Sequence, residues 1–148
     1  MTTRRTFIKN TSLLSAAFLV DPAELMRKRS LIGLQLYTVR DAMQKDPAGS
    51  LARVAQIGYT SVEGATYTGT QKFYGMGPAE FADLLKQNGL VMPSAHYRLG
   101  EAKEKDEIVK GTMLHEWDKA VEDAAAVGLK YMVCAYLSDA ERGSLDQY

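Results

Sequence analysis

The sequence predicts an α/β fold built from about four parallel strand–helix units, and three observations carry that reading. Apolar runs of strand length recur along the chain, each opening into polar residues. Between them lie segments whose apolar residues keep helical spacing. Those segments close on Gly58, Gly89 and Gly128, at spacings of 31 and 39 residues, the length of one strand–helix unit. Alternating strands and helices imply a parallel sheet with right-handed crossovers. Four units in order make a four-stranded parallel sheet or half of an eightfold barrel.

The first strand is read from Leu31-Ile32-Gly33-Leu34-Gln35-Leu36-Tyr37. Seven mostly apolar residues are too few for a buried helix and suit a strand covered on both faces. The strand opens into a loop carrying Tyr37, Thr38, Arg40 and Asp41. No glycine stands there, which excludes the phosphate turn of a dinucleotide-binding fold.

Asp46-Pro47 then supplies a cap and a first-turn proline, and Leu51, Val54 and Ala55 form the apolar face of a helix ended by Gly58. Ser61 to Ala65 reads as the second strand. Thr66 to Met76 is a long loop, and loops of that length are mobile or functional. Gly77-Pro78 opens the next helix, with Phe81, Leu84 and Leu85 inward and Gly89 as terminator. The third strand spans Val91 to His96, with Pro93 awkward because it lacks a ladder donor. Glu101 to Lys110 reads as a solvated loop or helix surface. Trp117, Ala120, Val121, Ala124 and Val127 mark a helix ended by Gly128, and Lys130 to Leu137 is the fourth strand. Ser138 to Tyr148 reads as a loop and the start of another helix.

A chain of 148 residues holds one domain with a proper core. No segment approaches the roughly 18 apolar residues of a membrane span. Zero net charge conceals an asymmetry: residues 1–30 carry net +4 and residues 31–148 carry net −4. The acidic body disfavours a nucleic-acid partner. The single cysteine, Cys134, has no partner for an internal disulfide and reads as a small buried residue of the fourth strand.

Residues 1–29 form a separate segment. Arg4-Arg5-Thr6-Phe7-Ile8-Lys9 precedes a modestly apolar stretch from Leu13 to Val20, the layout of an export signal. The Arg-Arg-x-Phe-x-Lys arrangement resembles the twin-arginine type, which implies a periplasmic destination. A disordered basic N-terminus is the plainer reading. The fold is assigned to residues 30–148.

Three stretches in order then carry a family resemblance: Ile32 to Asp41, Val54 to Glu63, and Pro93-Ser94-Ala95-His96. They resemble the sugar phosphate isomerase/epimerase family, the xylose isomerase-like TIM barrels, over about residues 31–148. The resemblance implies an eight-unit barrel, a small carbohydrate substrate and a divalent metal such as Mn, Mg, Co or Zn. Family metal ligands come mainly from strands of the second half, so none is assigned here, and the expectation is a truncated form with an incomplete metal site. The alternative is a non-catalytic half-barrel that binds sugar or forms a homodimer through its open sheet edges.

In a barrel the C-terminal rim of the strands carries the chemistry. Tyr37, Glu63, His96 and Tyr136 fall at or near those ends. Glu63 and His96 are the candidate catalytic pair, against an ordinary rim charge and a hydrogen-bonded structural histidine. His96 could meet a metal or a sugar hydroxyl. Arg40 could grip an anionic group and Tyr37 and Tyr136 could stack on a sugar face, against a solvated arginine and half-buried packing aromatics. His115 is placed on the third helix, at the surface.

Overall fold

Proline opens two of the helices and left-handed glycine closes two. The computed structural model describes residues 32–100, 103–104, 107–139 and 141–144. The basic twin-arginine-like segment, Leu31 and the end of the chain beyond Ser144 lie outside the described residues.

The first strand, β1, is shorter than the sequence suggests, running Gly33–Gln35. Leu36–Val39 turns at once into a 3-10 helix that leads into α1, Arg40–Lys45. The expected loop is therefore helical. The physical reason is a local cap: the Gln35 side chain accepts from the Tyr37 backbone N–H and starts the turn. Leu36, expected in the strand, is fully buried beneath that turn.

Helix α2 spans Pro47–Ile57, with Asp46 Oδ1 accepting from the Gly49 N–H at 2.9 Å and Gly58 left-handed at its end. Strand β2 is Ser61–Gly64, α3 is Pro78–Gln87 and β3 is Val91–His96. The segment expected to be loop or helix surface instead carries a small antiparallel pair, β4 at Lys103–Glu104 and β5 at Glu107–Ile108. Helix α4, Trp117–Val127, ends on left-handed Gly128, and β6 is Tyr131–Val133. Described residues after β6 add no helix.

The main sheet has strand order β1-β2-β3-β6, every pair parallel. Sequential strands lying side by side, with helices in the crossovers, make a mixed α/β fold consistent with part of a TIM barrel. Its ends are β1 and β6. Among the described residues no helix is long and apolar enough to cross a membrane.

Pro93 is accommodated by a register shift. Ser61 pairs with Val91 and Glu63 with Ser94, so β3 spends one residue more than β2 between those pairs. Such a bulge tolerates a missing ladder donor. The Pro93 carbonyl is still used, accepting from the Lys130 N–H at 2.8 Å.

Val62, Met92 and Ala95 carry the core face of the sheet, packed with Leu51, Val54, Phe81 and Leu85 from the helices. Gly64 is needed there, because a Cβ would lie 2.7 Å from the Ala95 Cβ. The long loop after β2 is ordered by its own aromatics: Phe73 stacks on Phe81 at 5.3 Å, and Tyr67 tilts against Tyr97 at 5.0 Å. Left-handed Gly111 crosses Gly69 so closely that a Cβ would lie 2.5 Å from the Gly69 nitrogen.

Two helix assignments change. Val121, placed on the apolar stripe of α4, is 41% exposed, and Asp123 occupies a buried position instead. His115 precedes α4 rather than sitting on it. Cys134 follows β6 and is only partly buried, with its thiol 3.7 Å from the Tyr136 carbonyl. The sheet has already ended there, so no neighbouring strand covers it.

Candidate functional site

Strand pairing builds the site. Partnered residues of a parallel ladder send their side chains to the same face. Gln35 partners Glu63, and Glu63 partners Ser94. His96, two residues beyond Ser94, shares that face. Val62, Met92 and Ala95 occupy the opposite one and fill the core. Four polar side chains therefore emerge together where the helices do not cover the sheet.

They form one network. Ser94 Oγ donates to Glu63 Oε1 at 2.8 Å, and His96 Nε2 lies 3.4 Å from Glu63 Oε2. On the other side of the imidazole, Gln35 Nε2 is 3.3 Å from His96 Nδ1. The carboxylate and the imidazole keep about a third of their surface open, at 32% and 28%. A carboxylate and an imidazole at this separation can hold a proton between them and exchange one with a ligand.

A cleft of about 510 Å³ opens beside the network. Gln35, Tyr37, His96 and Tyr136 line it, with Thr66, Tyr67, Tyr97 and Arg98. Tyr37 and Tyr136 are the exposed aromatics, at 56% and 67%. Tyr37 belongs to the 3-10 helix, two residues past β1, and Tyr136 lies three residues past β6. Arg142 stands 5.8 Å over the Tyr136 ring.

The other sequence candidates divide. Glu63 and His96 come together. Arg40 does not reach the cleft lining: its guanidinium lies 4.6 Å over the Tyr37 ring and donates to the Tyr37 carbonyl at 3.2 Å. Gln35 and Ser94 escaped the sequence reading, although the period-2 spacing of Ser94 and His96 was a usable signal for Ser94.

A second polar cluster anchors the cleft wall. Asp123 on α4 is buried and accepts from Tyr67 Oη at 2.7 Å, from Lys72 Nζ, and from Lys119 Nζ at 3.3 Å. Burial pushes its carboxyl up, but the hydrogen bonds from Lys72, Tyr67 and Lys119 outweigh that and hold it below its ordinary value. Burial, reinforced by the bond to Asp123, pushes the Tyr67 phenol well above its usual range. Tyr97 is raised too, by burial and then by the Asp123 charge, and among the described residues its buried hydroxyl finds no hydrogen-bond partner.

Metal donors are sparse. Among the described residues no three His, Cys, Asp or Glu side chains gather as a cation site. Glu63 and His96 supply one carboxylate and one imidazole there, with no third such side chain among the described residues. The described residues do not by themselves make up the donor set that the resemblance implies.

Fold and site together define an α/β protein with a polar network at the open face of a parallel sheet, beside a tyrosine-lined cleft. Among solved structures it is similar to two sugar phosphate isomerase/epimerases from Parabacteroides distasonis. One matches with a TM-score of 0.56 and 26% identity, covering 68% of this chain and 39% of that one. The other matches with a TM-score of 0.55 and 25% identity, covering 72% and 38%. The chain thus spans about two-fifths of the length of these neighbours. No family model matches the sequence, and no curated protein matches it.

Proposed function

We propose that this chain supplies the substrate-contacting rim of a carbohydrate isomerase or epimerase. The observation that carries the reading is the Glu63–His96 pair on adjacent strands, held by Ser94 and Gln35 beside the cleft. Glu63 takes the proton from the carbon next to a sugar carbonyl, while His96 and Ser94 hold the carboxylate in place. Tyr37 and Tyr136 offer ring faces to the apolar side of the sugar. The names of the two similar structures support the substrate class. A divalent ion enters this reading only with donors beyond the Glu63–His96 pair.

The test is exchange of solvent deuterium into the carbon beside the carbonyl, followed by NMR over a panel of ketoses and aldoses, with and without Mn²⁺ or Mg²⁺. Incorporation that disappears in Glu63→Gln is the expected result. The absence of both exchange and sugar binding in the wild-type chain would defeat the proposal.

A non-catalytic second reading rests on the sheet ends. Ile32 beside β1 and Tyr131 on β6 are exposed at 61% and 66%, and unpaired strand edges invite another chain. On this reading the chain is a homodimer, and a monomeric sedimentation profile at high concentration rejects it. The proposed location is periplasmic, by the twin-arginine route. Replacing Arg4 and Arg5 together by lysine should then leave a tagged protein in the cytoplasm.

A further inference from the structure

The network around Glu63 has a direction, and Gln35 sets it. A primary amide is nearly symmetric in shape, but its oxygen only accepts and its nitrogen only donates. The Tyr37 backbone N–H, which only donates, faces Gln35 Oε1. This assigns the other end: Gln35 Nε2 carries the hydrogens and stands 3.3 Å from His96 Nδ1. Facing an N–H donor, Nδ1 of a neutral imidazole must present its lone pair, so the ring proton sits on Nε2. Nε2 faces Glu63 Oε2 at 3.4 Å, an oxygen able to accept that proton's hydrogen bond. Ser94 completes the set by donating to the other carboxylate oxygen at 2.8 Å.

We propose that Gln35 is a positioning residue, which fixes His96 in the Nε2–H tautomer and so aims the imidazole N–H at Glu63. The proposal rests on the reading of Glu63 and His96 as the proton-handling pair. Its root is the 3-10 turn after β1, because the Tyr37 amide that orients Gln35 belongs to that turn. A ligand that meets Nε2 does so beside Glu63 Oε2, 3.4 Å away. One that meets Nδ1 must displace Gln35. The carboxylate oxygens retain lone pairs beyond the one used by Ser94.

The experiment is long-range ¹H–¹⁵N correlation of the histidine rings in the labelled full chain near neutral pH. The chain has two histidines, so one His115→Gln variant assigns both sets of signals. Wild-type His96 should show the Nε2–H pattern, with Nδ1 shifted as a hydrogen-bond acceptor. Gln35→Leu removes the donor and should move the Nδ1 resonance to that of a lone pair without a protein donor. Gln35→Glu places an acceptor opposite Nδ1 and should draw a proton onto it. A wild-type Nδ1–H ring overturns the proposal, whatever the variants do. So does an unchanged Nδ1 resonance in Gln35→Leu or an Nδ1 still unprotonated in Gln35→Glu. If the leucine variant fails to fold, judged by amide dispersion, the wild-type spectrum and Gln35→Glu decide. None of these readouts uses turnover, so a chain with the expected tautomer and no sugar chemistry rejects the enzymatic reading alone.

Discussion

Tyr67 donates a 2.7 Å hydrogen bond to Asp123 across 56 positions of sequence, joining the loop after β2 to the flank of α4. Lys72, from the same loop, meets the same carboxylate oxygen. The loop that walls the cleft is therefore tied to a helix through one buried acid.

Removing that acid should be costly. Asp123→Ala leaves the Tyr67 hydroxyl and the Lys72 ammonium without their shared acceptor. Lys72 is partly exposed and recovers some hydration, so the loss should fall at about 2–4 kcal/mol, toward the lower end for a broken buried pair. Urea denaturation measures it. A change below about 0.5 kcal/mol would mean that the loop is held by its aromatics alone.

The same cluster sets the pH response at both ends. Asp123 is depressed in the folded state, so its contribution is present above the unfolded value of about 3.9 and is lost as pH falls through the folded one. Tyr67 and Tyr97 are raised, so theirs is complete below about pH 10 and is lost as pH climbs beyond it. Urea midpoints should drop on both sides of a neutral plateau. Asp123→Asn should flatten the acid limb, and Tyr97→Phe should soften the alkaline one.

Gly64→Ala tests the closeness of β2 and β3. The added methyl meets the Ala95 Cβ at 2.7 Å and the Met92 sulfur at 3.1 Å. Ala95 is rigid while Met92 can shift, so the overpacking should cost about 1–3 kcal/mol. Thermal unfolding reports it, and an unchanged midpoint would show that the strands separate freely there.

Tyr136→Ala separates binding from folding. The ring is two-thirds exposed, so stability should hold within about 0.5 kcal/mol. Affinity for a sugar ligand should fall roughly five- to tenfold, the scale of one lost stacking contact. Calorimetric titration beside a melting curve gives both values. Equal affinity would remove Tyr136 from the proposed substrate contacts.

Ser94→Ala should weaken the hold on Glu63 without emptying the site. One hydrogen bond to a carboxylate corresponds to about 1.5–3 kcal/mol, less for a partly exposed pair. Deuterium exchange into a sugar should slow by roughly tenfold. A rate within twofold of wild type would leave Ser94 a bystander.

The parallel series was legible because its signals are local: Asp46-Pro47, Gly77-Pro78 and the closing glycines act within a few residues of themselves. Glu63 and His96 were legible as polar residues leaving apolar strands. The end of β1 was not, because glutamine is an uncommon cap and Leu36 looks like strand in either structure. Lys103, Glu104, Glu107 and Ile108 show no apolar alternation, so nothing in their order announces a β pair. Asp123 reads as solvent-facing until Tyr67 and Lys72 arrive from more than 50 residues away. Gln35 looked like an interruption of an apolar run, since its meaning depends on a histidine 61 residues downstream.

The extra residue of β3 works as a reading-frame correction. Side chains alternate along a strand, so a straight ladder running on from the Ser61–Val91 pair would set Pro93 opposite Glu63. Ser94 and His96 would then turn into the core, and Ala95 and Tyr97 would surface in their place. The identity of the polar pair is written in two letters of sequence, but its availability is written in a length. Inserting one residue between Pro93 and Ser94 should therefore disconnect Glu63 from both partners while every one of those residues is still present.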